Sequence, residues 1–551
     1  MFDHNLNLSE KKILVIDDFA EFRFAVRKML EQMKGKHIDM AANGERAVEL
    51  MQSTRYDIVL SDYNLGEAKD GQQILEEGRV KGFVGHSTIF VLVTAENTTD
   101  MVYGALEYSP DAYLTKPFTR DFLSQRLSKL LAKKRFLQPA ERALDARKYQ
   151  QADKETDALL AKKSKYGVDV LRIKAMALMG LKNYAKAGQV YSLIASQKKM
   201  PWAILGLGRA KFHQGQYQEA ADTFRSLIQA NAAFVEAYDW LAKCLVELRQ
   251  PSDALATLKS AIERSPKAIL RQQQAARLAL SLDETEFAEK CARMAVRLGR
   301  YSVFQDKEDY TLHAKLLLEK GKRADANTQA KRSWNEALGV LKEAREKYRD
   351  RFPDFLVRIA ALEGVLQAKV SASNPAEAMK KLRKVIDQMP DTMPLRPMCD
   401  TTRELVAGGE EEFGLVLAGG ILSKKPDDDA LIEELKAIFE GSGFEEHFEQ
   451  VVSEEKVKFN QDNRSGMMCY EKGQYQEASA YFEKALKELP SNVAINLNYA
   501  QCLIAWMEKG GGKDNKARAK QCLAEIAKHV EDNGARKERF DNLDQRLQAL
   551  E

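Results

Sequence analysis

The stretch DIVLSDYN, residues 57–64, sets the fold of the first part of this chain. Apolar and small residues run directly into Asp62, and a turn begins after it. A carboxylate at the end of a buried strand is costly unless another group pairs with it, because burial removes its water. The position of Asp62 therefore indicates a chemical function at the strand end.

Short strands and helices alternate around this stretch, from residue 12 to about residue 120. Alternation of this kind indicates parallel strands joined by right-handed crossovers, in a doubly wound α/β sheet. The continuous apolar strands agree, since such a sheet is covered on both faces. The predicted strands are 13–17, 37–41, 57–61, 88–94 and 112–115, and the predicted helices are 21–33, 44–53, 71–80, 98–107 and 119–133.

The ends of these strands carry the side chains that suggest chemistry. Asp17 and Asp18 end the first strand, Asp62 follows the third, Thr94 ends the fourth, and Lys116 follows the fifth. In an open parallel sheet these ends meet at one edge, where ligands bind. Clustered carboxylates repel one another unless a cation neutralises them, and Mg²⁺ prefers such oxygen ligands. The cluster predicts an anion site, in which Asp62 captures a phosphoryl group as a nucleophile.

Residues 12–133 resemble the receiver domain of two-component response regulators, with KILVIDDF, LSDYNLG, VLVTAE and YLTKPF in place. The resemblance implies that Asp62 is the phosphoacceptor, that Lys116 pairs with the phosphoryl oxygens, and that a sensor histidine kinase is the phosphodonor. It also implies an Mg²⁺ site. Its ligands would be Asp18, Asp62 and the backbone carbonyl of Asn64, with Asp17 acting partly through a metal-bound water.

The same resemblance assigns roles to the surrounding residues. It implies that Thr94 and Tyr113 form a conformational switch, and that Asn64 and Glu96 tune dephosphorylation, which their polarity predicts to be fast. Gly66 stands where the family usually has proline, a departure that concerns loop shape rather than the acids. A degenerate receiver kept as a scaffold is the alternative, but such domains usually lose an acid or the lysine, and this one has kept them all.

The chain changes character after about residue 134, where strand-like runs disappear and helix-forming residues dominate. GQYQEA occurs at 215–220 and again at 473–478, and Ala220, Ala254 and Ala288 are spaced by 34 residues. This period resembles the tetratricopeptide repeat, a stacked helical hairpin. Small residues such as Gly208 and Ala220 would let two helices approach closely, and aromatic residues such as Tyr217 and Phe224 would fill the space between hairpins.

Five segments are predicted from these patterns. They are a receiver domain at 10–133, a helical linker at 134–167, tetratricopeptide repeats at 168–300, degenerate helical repeats at 301–458, and C-terminal repeats with a closing helix at 459–551. The fold class is thus an α/β receiver followed by an all-α helical-repeat solenoid.

Composition narrows the function and the location. A net charge of +4 over 551 residues lacks the basic excess of a nucleic-acid binder. The six cysteines include no C-x-x-C pair, as suits reduced thiols. No signal-peptide pattern precedes the first strand, and no apolar run approaches the roughly 20 residues of a membrane span. We expect a cytoplasmic protein that binds neither nucleic acid nor membranes.

Nothing in the repeat region suggests an output enzyme. Neither a Gly-rich ATP loop nor the histidine-bearing helix of a sensor kinase is found. We expect a response regulator that signals through an unidentified protein partner on the repeats, with no catalysis beyond its own phosphotransfer and dephosphorylation. The alternative is a phosphate sink, or a modulator of a shared sensor kinase or of another regulator's phosphorylation.

The repeat register predicts where the partner binds. Stepping back eleven positions from Ala220, Ala254 and Ala288 gives a basic stripe on the inner wall of the groove, and only its middle residue has an acidic neighbour at i,i+4. The expected ligand is an acidic amphipathic segment, and ordinary solvated helix charges are the alternative. The stripe is Arg209, Lys243 and Arg277, bordered by Trp202, Leu205, Phe212 and Val246.

Overall fold

The structure is a computed structural model, and the chain divides into two compact units. One ends at His313 and the other begins at Ala314. The predicted helix at 98–107 lies outside the described residues. The structure describes residues 6–66, 69–95, 110–198, 200–349, 351–371, 375–388, 394–425, 428–488, 490, 492–512, 515–527 and 534–550.

Five parallel strands form the sheet of the first unit, in the order β2-β1-β3-β4-β5. The predicted doubly wound α/β sheet is confirmed, and each strand end lies within one residue of its predicted position. The strands are β1 (Lys12–Ile16), β2 (His37–Ala41), β3 (Ile58–Asp62), β4 (Ile89–Thr94) and β5 (Ala112–Thr115).

Helices cover both faces of this sheet because side chains alternate along each strand. Ile13 and Val15 point to one hydrophobic layer, which also contains Leu123 and Leu127. Leu14 and Ile16 point to the opposite layer. The helices described around the sheet are α1 (Ala20–Gln32), α2 (Gly44–Ser53), α3 (Gly71–Val80) and α4 (Arg120–Asp145).

Helix α4 belongs to the sheet domain and to the helical region that follows it. At roughly 1.5 Å per residue its 26 residues extend about 39 Å. Its first half places Leu123 and Leu127 in the core of the sheet domain. Its second half places Leu137 and Leu144 in a separate core formed with the next two helices. The helix therefore runs on to Asp145, beyond residue 133, where the predicted helix ended.

Asp145, the last residue of α4, fastens this helix to the sheet domain. Its carboxylate accepts hydrogen bonds from the backbone N–H of His86 and of Ser87, and from the Ser87 hydroxyl at 2.7 Å. A Cβ at Gly85 would lie 2.4 Å from an Asp145 oxygen, so glycine is required there. A second contact joins the helical region to the sheet domain: the Ser302 hydroxyl donates to the Glu76 carboxylate of α3 at 2.9 Å.

Helical hairpins make up the rest of the first unit. Close packing at Gly208 supports the predicted role of small residues, because a Cβ there would lie 2.5 Å from the Phe224 ring. The helices are α5 (Tyr149–Ala161), α6 (Gly167–Gly180), α7 (Tyr184–Lys198), α8 (Pro201–His213), α9 (Tyr217–Ala230), α10 (Glu236–Glu247), α11 (Pro251–Arg264), α12 (Ile269–Ser281), α13 (Thr285–Gly299) and α14 (Lys307–Lys322), the last of which crosses the unit boundary.

The second unit is all-helical in its described residues. Gly466 and Phe482 repeat the packing of Gly208 on Phe224, with a Cβ-to-ring distance of 2.8 Å. No described helix in the chain is long and apolar enough to cross a membrane. The helices are α15 (Asn327–Tyr348), α16 (Pro353–Ser371), α17 (Pro375–Asp387), α18 (Arg396–Ala407), α19 (Glu411–Lys424), α20 (Asp429–Phe439), α21 (Glu445–Glu471), α22 (Tyr475–Glu488), α23 (Val493–Glu508), α24 (Asn515–Ile526) and α25 (Gly534–Ala549).

Candidate functional site

Three carboxylates meet at the carboxyl edge of the sheet. Because β1 pairs directly with β3, the residues that follow Ile16 lie beside Asp62 at the end of β3. Asp17, Asp18 and Asp62 each offer an oxygen within 4.8 Å of the others. Asp17 and Asp62 are buried and Asp18 is exposed, so the cluster opens to solvent on one side.

Lys116 bridges the two buried acids. Its ammonium donates to Asp17 Oδ2 at 2.6 Å and to Asp62 Oδ2 at 2.7 Å. The position follows from the sheet, since Lys116 comes directly after β5 and its backbone N–H bonds to the carbonyl of Thr94 at 2.7 Å. Side chains separated by 99 and 54 residues in sequence thus form one hydrogen-bonded cluster.

Two residues that the sequence reasoning missed shape this cluster. The Phe22 ring centroid lies 4.2 Å from the Lys116 ammonium, a cation–π contact that stabilises the position of the lysine. Gly71 lies against the backbone of Asp62, where a Cβ would be 2.1 Å from the carbonyl oxygen. Phe22 could have been suspected from its place four residues after Asp18, but the close approach at Gly71 depends on the packing of α3.

Burial and charge oppose each other at the central pair. Burial raises the pKa of the Asp62 carboxyl and outweighs the hydrogen bond and the charge of Lys116, which favour the carboxylate. For Lys116, burial disfavours the ammonium, yet the bonds to Asp17 and Asp62 outweigh burial and hold its pKa above the usual value. The lysine therefore stays charged, and Asp62 is a desolvated carboxylate beside a cation.

The predicted switch residues lie at the same edge. Thr94 ends β4 and is buried, and Thr115 of the neighbouring strand β5 is its partner in the sheet register. Burial, with a smaller contribution from Tyr63, raises the pKa of the Tyr113 hydroxyl, which has no hydrogen-bond partner among the described residues. The Asn64 side chain is exposed, while Glu96 lies outside the described residues. The roles assigned to Thr94, Tyr113, Asn64 and Glu96 stay predictions.

The donor set suits a hard divalent cation. All the candidate ligands are oxygens, and two of the three carboxylates are buried where an unneutralised charge would be costly. Asp17, Asp18, Asp62 and the backbone carbonyl of Asn64 are the residues that would hold Mg²⁺.

Comparison with known families agrees with the geometry. Residues 13–128 match the family described as response regulator receiver domain. The N-terminal domain is a receiver domain. Residues 211–278 and 470–536 match the tetratricopeptide repeat, so helical repeats of this family follow the receiver. Both predicted families are thereby confirmed: a receiver domain of the response-regulator family lies at the N-terminus, and tetratricopeptide repeats lie in the rest of the chain.

Similar proteins are found for the receiver. The chemotaxis protein CheY of Pseudomonas aeruginosa is 27% identical over 119 residues, which is 22% of this chain and 94% of that protein. Chemotaxis protein CheY-3 of Vibrio cholerae is also 27% identical over 119 residues, or 90% of its length. Among solved structures, a two-component response regulator from Clostridium difficile is 27% identical and covers 22% of this chain and 97% of its own, with a TM-score of 0.20.

The predicted basic stripe on the repeats is only partly as expected. Arg209 lies 3.7 Å from Glu236, and Arg277 lies 2.8 Å from Asp306. Lys243, predicted to have the acidic partner, has no carboxylate within ion-pair distance among the described residues. The prediction of partners was wrong because it considered one helix. Both observed acids lie beyond the next helix, Glu236 at the start of α10 and Asp306 just before α14.

The predicted apolar border also needs correction. Leu205 is buried in its hairpin and cannot border an open groove. Trp202 packs against the Tyr191 ring, and the Arg172 guanidinium lies over the Trp202 ring. Phe212 contacts the Trp240 ring, with centroids 5.5 Å apart, and Val246 is exposed as predicted. Trp240 was missed, although it lies three residues before Lys243 on the same helix.

Proposed function

We propose that this protein is a response regulator that accepts a phosphoryl group on Asp62 and signals through a protein partner bound by its repeats. A sensor histidine kinase is the proposed donor. The observation that carries the proposal is the contact of one ammonium, Lys116, with both Asp17 and Asp62 beside the exposed Asp18. Receivers and repeats of these families support the two halves of the proposal.

The residues of the site suit phosphoryl transfer to a carboxylate. An Asp62 oxygen would form the new bond to phosphorus as the donor's bond to phosphorus breaks, and the donor would leave with the bonding electrons. Lys116 already lies within hydrogen-bond distance of Asp62 Oδ2, so it would neutralise charge on the incoming group without moving far. Mg²⁺, when bound by the acids, supplies further neutralisation of the phosphoryl oxygens.

The rest of the chain is proposed to be a binding platform without a reaction of its own. Tetratricopeptide repeats stack into extended surfaces that bind peptides and helices. Helix α4 supports coupling between the two functions, since one continuous helix contributes to the receiver core and to the core that it forms with α5 and α6. Its attachment through Asp145 gives the receiver a second link to this helix.

Phosphorylation of purified protein tests the receiver assignment. Acetyl phosphate with Mg²⁺ should add one acid-labile phosphoryl group, visible by intact-mass spectrometry, and chelation of Mg²⁺ should prevent it. Asp62→Asn should abolish the adduct. Asp57→Asn is the matched control, because Asp57 lies just before β3, is partly exposed and pairs with Lys11 far from the cluster. Full labelling of the Asp62→Asn protein would contradict the assignment.

Affinity capture with and without beryllofluoride separates the adaptor from the phosphate sink. An adaptor should retain a protein other than a kinase, and the amount should depend on beryllofluoride in wild type but not in Asp62→Asn. A sink should retain only a sensor kinase. Binding of the same non-kinase protein in both states would show that the receiver does not control the repeats.

A further inference from the structure

Helix α3 of the receiver makes a contact with the helical region that is separate from α4. The Ser302 hydroxyl donates a hydrogen bond to Glu76 Oε2 at 2.9 Å. Both side chains are buried, with 6% of Ser302 and 8% of Glu76 exposed. A hydrogen bond to a carboxylate is stronger than one between neutral groups. We call this contact the Glu76 latch.

The Ser302 hydroxyl is held in place by the turn in which it lies. That turn joins α13 to α14, and the backbone N–H of Phe304 donates to the same hydroxyl oxygen at 3.1 Å. The oxygen thus accepts from Phe304 while its proton is donated to Glu76. The position of Ser302 depends on how two successive helices are connected, so a change in their packing alters the latch.

A second residue of the α3 region also interacts with the helical region. The Asp70 side chain caps α3 by accepting from the backbone N–H of Gln73 at 2.8 Å. Burial raises the pKa of the Asp70 carboxyl, while the hydrogen bond from Gln73 and the charge of Lys267 oppose that shift. Lys267 lies two residues before α12. The start of α3 and its middle are therefore both linked to the helices that follow the receiver.

The first residue of α3 lies directly against the backbone of the proposed phosphoacceptor. A Cβ at Gly71 would be 2.1 Å from the Asp62 carbonyl oxygen and 2.9 Å from the Ser61 hydroxyl oxygen. The Gly71 N–H donates to the Tyr63 carbonyl at 3.0 Å. Because no space separates these backbones, a movement of the Asp62 backbone also moves the start of α3. Glu76 is five residues farther on, about 7.5 Å along the helix axis.

A small displacement of α3 is enough to break the latch. The donor and acceptor oxygens are 2.9 Å apart, and a hydrogen bond is lost beyond about 3.5 Å. A shift of about 0.6 Å at Glu76 is therefore sufficient. A phosphoryl group on Asp62 adds three oxygens and roughly two negative charges, which is a large change for a turn packed this closely.

The latch is the weaker of two attachments of the receiver. Helix α4 is continuous, and its two halves each place apolar side chains in a core. The latch consists of polar side chains, whose hydrogen bond water can replace at a small net cost. When the receiver changes position relative to the helical region, the latch is the attachment expected to open, and α4 is expected to persist.

We propose that the Glu76 latch couples phosphorylation of Asp62 to the helical region, because the closed latch restrains α3 in its unphosphorylated position. Phosphorylation displaces the start of α3 and opens the latch. By thermodynamic linkage, removal of the latch favours the phosphorylated conformation to the same extent. This coupling rests on the proposed function in taking Asp62 as the phosphoacceptor, and it gives Ser302, a residue outside the receiver, an effect on receiver chemistry.

Beryllofluoride binding to full-length variants measures the coupling at equilibrium. The midpoint of a titration in the presence of Mg²⁺, followed by fluorine NMR, should fall about fivefold in Ser302→Ala, the lower end of typical coupling between sites. Glu76→Ala should lower it equally, and the double variant no further, because both changes remove one contact. Ser281→Ala is the matched control, since that exposed hydroxyl bonds to the Leu278 carbonyl of its own helix. Its midpoint should stay within about twofold of wild type.

Hydrogen exchange gives a second readout that does not depend on ligand affinity. Beryllofluoride should increase exchange of the wild type at residues 71–80 and at residues 300–306. Both segments should already exchange faster in Ser302→Ala without beryllofluoride. Glu76→Ala should do the same, although it keeps the bond from Phe304 to Ser302, and this separates the latch from the stability of the turn.

Three results would each overturn the latch. They are a midpoint for Ser302→Ala that is equal to or above that of wild type with unchanged circular dichroism, additive effects of the two substitutions in the double variant, and exchange at 71–80 that Ser302→Ala does not alter. Failure of the receiver assignment looks different, because then neither wild type nor the latch variants would bind beryllofluoride. That result would overturn both proposals.

Discussion

Replacing Glu141 with glutamine should stabilise the protein at pH 8 and have little effect near pH 4.5. Glu141 lies in the second half of α4 and is only 5% exposed. One of its oxygens is 3.2 Å from the Lys134 ammonium, and the other has no hydrogen-bond partner among the described residues. Asp111 shares the same lysine at 2.9 Å, so one cation serves two acids.

The magnitude follows from the shift in pKa. Burial raises the pKa of the Glu141 carboxyl from 4.5 to about 7, against the opposing attraction of Lys134 and with a smaller contribution from Asp111 and Asp145. At roughly 1.36 kcal/mol per unit, ionised Glu141 costs the folded protein about 3 kcal/mol. Because the pKa of Glu141 is higher in the folded protein than in the unfolded chain, the wild-type protein has its full stability below about pH 4.5. It loses about 3 kcal/mol progressively as pH rises to about 7.

Urea unfolding followed by circular dichroism between pH 4.5 and pH 8 measures this effect. The difference between the glutamine variant and wild type should grow from near zero to about 3 kcal/mol across that window. Asp121→Asn changes an exposed carboxylate on the same helix and should stay within about 0.5 kcal/mol of wild type. A difference that does not vary with pH, or a variant less stable than wild type at pH 8, would refute the reasoning.

Three further outcomes are expected. Gly208→Ala should lower the free energy of unfolding by about 1–3 kcal/mol, because its Cβ meets the Phe224 ring, while Gly339→Ala, with open space around it, should not destabilise; equal thermal denaturation midpoints would contradict this. Asn64→Met should lengthen the half-life of the phosphorylated protein by hindering an attacking water, and an unchanged half-life would show that Asn64 only faces solvent. Beryllofluoride should alter hydrogen exchange at residues 119–150 if α4 carries the signal; identical protection in both states would exclude it.

The sequence alone determined the elements of the fold. Each receiver strand is a short apolar run that only a covered parallel sheet can bury, and strand order places Asp17, Asp62 and Lys116 at one edge. The helical repeats were equally visible, because a 34-residue period places the same small and aromatic residues at each hairpin contact, as Gly208 and Phe224 show. Apolar strands and the 34-residue period can be recognised in the sequence because each is set by residues at fixed spacing along the chain.

Only the tertiary structure decided which side chains pair. Arg209 and Arg277 find acids 27 and 29 residues away, and Asp145 binds the backbone some 58 residues before it. The hydrogen bond from Ser302 to Glu76 joins residues 226 positions apart. These contacts depend on the angles at which successive hairpins stack and on how the receiver packs against them. No periodicity in the sequence encodes those angles, since they result from the sum of many small packing contacts.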